Sequence, residues 1–203
     1  MRARSLLGSG WVVYAIAIAP RCAPAQWIVG VDLTWTSFGD ASSDTSAGST
    51  GEAFHPGAGG AIALRVERQW SRFGFVVSAR RMHPALAEES DALIIAAKQQ
   101  MRFTEIAPAV TLRLARLAAG AVLQLQAGPV VDIWELTGLT ERSEVGVATG
   151  LTLAFPLAGR WTGAARTSVA HSGSPFQSGE LPDRFAPHSM WRHSVSIGLD
   201  WRL

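Results

Sequence analysis

Five histidines and one serine-rich stretch are the residues of this chain best suited to chemistry. His55, His83, His171, His188 and His193 supply imidazoles that could bind a transition metal or respond to pH. No His-x-His or His-Glu-x-x-His spacing accompanies them, and histidine is common at wet, partly apolar edges. The stretch "HSGSPFQSGE" brings His171, Ser172, Ser174 and Glu180 together, the parts of a nucleophilic acyl transfer. On an extended strand, a serine served by His171 must stand two residues along, and that position is Gly173. The sequence therefore assigns no catalytic residue, no cofactor and no metal.

The elements that would position these groups read as strands. Period-two alternation recurs eight times. "WIVGVDLTW" sets Trp27, Val29, Val31, Leu33 and Trp35 against Gly30, Asp32 and Thr34. "AIALRVERQW", "RFGFVVSARRM" and "TEIAPAVTLRL" repeat the pattern, as do "VLQLQAGPVVDIW", "EVGVATGLTLAF" and "RWTGAARTSVAH". "WRHSVSIGLDWRL" closes the series with Val195, Ile197, Leu199, Trp201 and Leu203 on one face. Long connections at 39–57, 83–102, 136–143 and 172–189 alternate with short ones near 69–72, 116–120 and 157–159. That rhythm predicts an all-β fold, a closed antiparallel eight-stranded transmembrane barrel with both ends on the short-turn side. Pro108 and Pro129 fall inside strands and predict bulges, because each removes a ladder donor. The apolar run "ALIIAA" at 92–97 reads as an extension of two strands above the membrane or as a binding patch. The polar loop "GDASSDTSAGSTGE" reads as water-facing.

Alternation alone also fits a soluble barrel with its apolar face inward. Three features argue for lipid outside. Aromatic residues gather at strand ends on the apolar face: Trp27, Trp70, Phe73, Phe155, Trp161 and Trp201 at the short-turn rim, and Trp35 and Trp191 at the long-loop rim. Two such girdles are expected where rings meet headgroups. The polar face carries mid-strand charges of both signs, Asp32, Arg65, Glu67, Arg80, Glu105, Arg113, Asp132 and Arg166, which would pair across a narrow interior. Charges on the apolar face (Arg68, Arg81 and His193) occur only near rims, where long side chains can snorkel.

The first 25 residues predict a signal peptide. "MRARS" precedes the mostly apolar "LLGSGWVVYAIAIAP", and "APA" at 23–25 supplies a cleavage pattern. The barrel domain is then 26–203. Removing Arg2, Arg4 and Arg21 from 18 basic side chains leaves 15 against 16 acidic ones, which excludes nucleic acid as a partner suggested by charge. The single cysteine, Cys22, goes with the leader.

Leader, eight strands, alternating loop lengths and terminal strand together resemble the small eight-stranded outer-membrane proteins of the opacity and attachment type. The resemblance is one of pattern over nearly the whole chain after the leader. It implies a monomer in the bacterial outer membrane, with outer-membrane lipids and lipopolysaccharide around it. It further implies a last strand read by the barrel-assembly machinery, usually through a final aromatic; here Trp201 and Leu203 share the outward face. Some barrels of this size deacylate lipid A with a His-x-Ser pair, which Gly173 interrupts. The expected role is non-enzymatic, in envelope integrity or surface interaction through the outer loops. A narrow channel for a small hydrophobic solute is the alternative, and small residues at Gly146, Ala148 and Gly150 leave room for one.

Overall fold

The computed structural model describes residues 25–44, 53–90, 93–97, 101–136, 141–177, 180–181 and 183–203. Residues 1–24, which hold nearly all of the expected leader, and most of the "GDASSDTSAGSTGE" loop lie outside them. Thirteen strands follow in chain order: β1 (Gln26–Phe38), β2 (Ser42–Asp44), β3 (Ala53–Pro56), β4 (Gly59–Trp70), β5 (Phe73–Met82), β6 (Leu86–Ser90) and β7 (Leu93–Ala97), then β8 (Met101–Arg116), β9 (Val122–Leu136), β10 (Arg142–Pro156), β11 (Trp161–Ser172), β12 (Phe185–Pro187) and β13 (Met190–Arg202).

Eight of them close a barrel in the order β1-β13-β11-β10-β9-β8-β5-β4, antiparallel throughout. Each is flanked by its sequence neighbour among the eight, so the topology is an up-and-down meander. First and last strands seal it, in register from Ile28↔Arg202 to Phe38↔Arg192. The Leu203 amide also donates to the Trp27 carbonyl at 3.0 Å. Closure leaves the wall no free edge, which a lipid environment requires.

Tight turns join β4 to β5, β8 to β9 and β10 to β11 at one end. The first carries Ser71 at φ 48°, and the second carries Ala119 and Gly120 at φ 57° and 78°. At the other end the long connections build two small sheets, β12-β2 and β3-β6-β7. The "ALIIAA" segment accordingly does not prolong barrel strands. Its residues 93–97 form β7, which pairs with β6 in the separate three-stranded sheet.

The two prolines also behave differently from the bulge expectation. Pro108 and Pro129 face each other across the β8–β9 ladder, whose register is the same at Ile106↔Val131 and at Val110↔Ala127. Placing both missing donors at one spot confines the defect to a single gap. The register shift lies elsewhere, between Arg113 and Ala115.

Candidate functional site

The wall is apolar outside. Val31, Leu33, Ile62, Leu64, Val110, Val147, Val195 and Ile197 are each among the exposed large hydrophobics. The same alternation buries the ionised residues inside, in two stacked clusters. The one nearer the short turns centres on Arg166, which bridges Asp32 and Asp200, the latter at 2.6 Å. Beside it Arg65 donates to Glu67 at 2.8 Å and to the Gln126 amide oxygen at 3.1 Å, and Thr111 donates to Glu67. Close approach here depends on Gly198, where any Cβ would overlap the Asp32 carboxylate and the Arg166 guanidinium.

The second cluster lies nearer the long loops. Arg192 donates to Asp132 at 2.6 and 3.1 Å and to Glu105 at 2.5 Å. Arg80 reaches Glu105 at 2.7 Å and the hydroxyls of Thr36 and Ser194 at 2.9 and 2.8 Å. Four arginines and five carboxylates are buried among the described residues, so the interior is close to neutral. Buried ions are tolerable only with such partners, because desolvation of each costs several kcal/mol.

Seven of the eight interior charges expected from the sequence thus converge: Asp32, Arg65, Glu67, Arg80, Glu105, Asp132 and Arg166. Arg113 does not join a carboxylate. It sits half-buried at the short-turn mouth and donates to Gln69 at 2.9 Å. Two members escaped the sequence reading, Arg192 and Asp200. Both share the parity of Ser194 and Ser196 on β13, so the alternation that found the others points to them too.

Above the ionic clusters the polarity inverts. Met82, Met101, Phe103, Trp134 and Met190 point inward at the loop ends of their strands. Loop residues Ala41 and Phe176 complete this buried apolar cap, with Phe38 packed against it. The Phe103 and Trp134 rings lie 4.4 Å apart, and the Arg192 guanidinium lies 5.0 Å from the Phe103 centroid, tying the cap to the cluster below. Outside, at this height, the wall turns polar. Arg81 and Arg102 both bond Glu135, at 3.4 and 2.5 Å, and Arg102 donates to the His83 ring at 3.4 Å.

Among the described residues, the two ionic clusters and the apolar cap thus occupy the interior at successive heights. Among the described residues the small inward positions of β10 are closely met: Gly150 by Gln126 and Ser168, and Gly146 by Ser172. A cavity of about 40 Å³ remains at the short-turn mouth, lined in part by Glu67, Gln69, Arg113 and Asp200.

The rim aromatics stand outward. Trp27, Trp70, Phe73, Phe155 and Trp161 are exposed at the short-turn end, where Trp201 is half-buried against Trp161 with centroids 4.6 Å apart. Arg68 lies over Trp27 and Trp70, 5.2 and 5.3 Å from their centroids. The Phe155 ring covers Gly163 on the facing strand. Trp35 and Trp191 are exposed near the loop end, with the His171 ring against Trp191.

The parts of an acyl transfer are not assembled. His171 faces outward, whereas Ser172 on the next position is buried inward. Ser174 is held by the Ala41 carbonyl and the Phe176 amide. Glu180 is clamped by Arg142 at 2.5 and 2.8 Å, and that guanidinium holds its carboxyl below the usual glutamate range. His55 and His188 each turn Nδ1 to a neighbouring backbone carbonyl. No group of three metal-ligating side chains occurs among the described residues.

A closed eight-stranded wall, apolar outside and ionic within, defines a transmembrane β-barrel of the outer-membrane type. No family model and no curated protein matches the chain. The fold is shared with solved outer-membrane proteins. OprG from Pseudomonas aeruginosa superimposes with a TM-score of 0.56 at 11% identity, over 88% of this chain and 96% of that one. AlkL, determined in DMPC lipid bilayers, gives 0.57 at 10% identity, over 100% and 97%. Neisserial surface protein A gives 0.51 at 9% identity, over 90% and 99%. At these identities the likeness is one of fold.

Proposed function

We propose that this barrel is a closed outer-membrane protein whose work is done at its loop surface, in envelope integrity or contact with other surfaces. The observation that carries the reading is the occupied interior: two ionic clusters, together close to neutral, under an apolar cap. A lumen so occupied offers no aqueous path, while the loops carry strands of their own and a partly buried ion pair that ties Glu180 to Arg142 at the end of β10. Planar-bilayer recording tests it. The full chain, inserted and verified by its heat-modifiable mobility, should give no steady conductance, and stable open channels would reject the closed barrel.

One observation favours a second reading, binding of an apolar solute at the loop end. Met82, Met101 and Met190 all lie in the cap, and methionine repacks around varied shapes more readily than branched residues do. An apolar fluorophore whose emission rises with the wild-type protein, and not with a Phe103→Asp variant that still folds, would support this reading. Equal responses would dismiss it.

A further inference from the structure

We infer that the outer wall carries a site for one phosphorylated, multiply acylated lipid of the lipid A type, seated across β11, β13, β1, β4 and β5. Two independent observations meet there. The first is a groove of about 1070 Å³ on the lipid-facing side, walled by Leu33, Trp35, Ile62, Val195 and Ile197. It exists because the outward residues at its floor are small. Gly60 stands opposite Trp35, and Ala165 stands opposite Ile197. Acyl chains pack into such a trough with more contact than against a uniformly ridged wall.

The second observation is charge at the loop end of the same groove. Arg81, directly across the ladder from Ile62, lines it together with His83. Next to them Arg102 stands opposite Glu135. Two guanidiniums share this single carboxylate, so the cluster carries a surplus positive charge. Arg81 is the less committed partner, bonded at 3.4 Å with its side chain 54% exposed. A phosphate could accept from Arg81 and Arg102 together while Glu135 keeps one of them, as guanidinium geometry allows. Arg68, outward near the opposite rim, is instead covered by two indole faces.

The order of features along the wall fixes the occupant. An apolar trough whose long-loop margin carries the Trp35 indole, Arg81 and His83, with Arg102 beside them, matches a lipid whose phosphate sits just above its chains in the outer leaflet. Long loops mark that leaflet. The site lies outside the barrel and does not depend on whether the lumen is closed.

Native mass spectrometry of the full protein in detergent, titrated with bisphosphorylated lipid A, tests the inference. Wild-type protein should hold the lipid about tenfold or more tightly than an Arg81→Gln, Arg102→Gln double variant. An Arg68→Gln control should match wild type. Gly60→Leu, which fills the trough and keeps every charge, should also weaken binding. Dephosphorylated lipid A and phosphatidylglycerol should bind wild type no better than they bind the double variant. Equal retention by wild type and both site variants, with heat-modifiable mobility showing all of them folded, would overturn the site. So would phosphatidylglycerol binding as tightly as lipid A.

Discussion

Replacing Arg192 by Met removes the cation that holds the upper ionic cluster. Arg192 is 1% exposed and serves two carboxylates. Glu105 keeps Arg80, but Asp132, 0% exposed, loses the one cation it pairs with among the described residues. Leaving one member of a buried pair uncompensated typically costs about 3–5 kcal/mol. A second route gives a similar figure. If Asp132 takes up a proton instead, the cost at pH 7 is about 1.4 kcal/mol per unit above the ordinary aspartate value near 3.9, or roughly 4 kcal/mol. Urea unfolding of protein refolded in detergent, followed by gel mobility, should therefore show a loss of about 4 kcal/mol at neutral pH. The deficit should shrink in acid, where proton uptake becomes easy. Adding Asp132→Asn should recover most of it, since an amide needs no counter-charge. A neutral-pH loss under about 1 kcal/mol, the size of an exposed pair, would refute the reasoning. So would a loss that is indifferent to both pH and the second substitution.

Gly198→Ala should destabilise by about 1–3 kcal/mol, because its methyl group must displace the Asp32–Arg166 contact. Gly60→Ala, whose Cβ would meet only ordinary contacts starting at 3.8 Å, should shift the urea midpoint little. In the loops, the Glu180 carboxyl titrates lower in the folded chain than in the unfolded one. The Arg142 pair therefore stabilises the loop above the ordinary glutamate range, and that contribution is lost as pH falls through the lowered value. Limited proteolysis between 173 and 189 should accelerate in acid for wild type, whereas Glu180→Gln should be cut faster at neutral pH and respond little to acid.

Much of the barrel was legible because strand geometry leaves one simple trace. From Asp32 on β1 to Arg166 on β11, a charge standing among alternating apolar residues marks the inward face whatever its partner. Partnership was not legible. Arg113 obeys the alternation as well as Arg166 does, yet height along the tilted strand decides that one meets glutamine and the other two aspartates. The apolar cap was hidden for a related reason. Phe103 and Trp134 have inward parity, but apolar character was the sign of the outward face, and nothing local to either residue announces where that rule reverses. Proline's missing donor was a true signal misjudged in consequence, since two opposed prolines share one gap and need no bulge.

The seam between β1 and β13 has a bearing on how the molecule is made. Arg192 and Asp200, one from each ionic cluster, both arrive on the last strand, and Asp32 waits on the first for an arginine 134 positions away. A chain halted before residue 190 lacks the cation that serves Asp132 above and the second carboxylate that serves Arg166 below. Docking of the final strand therefore closes the wall and completes both clusters in one step of the structure.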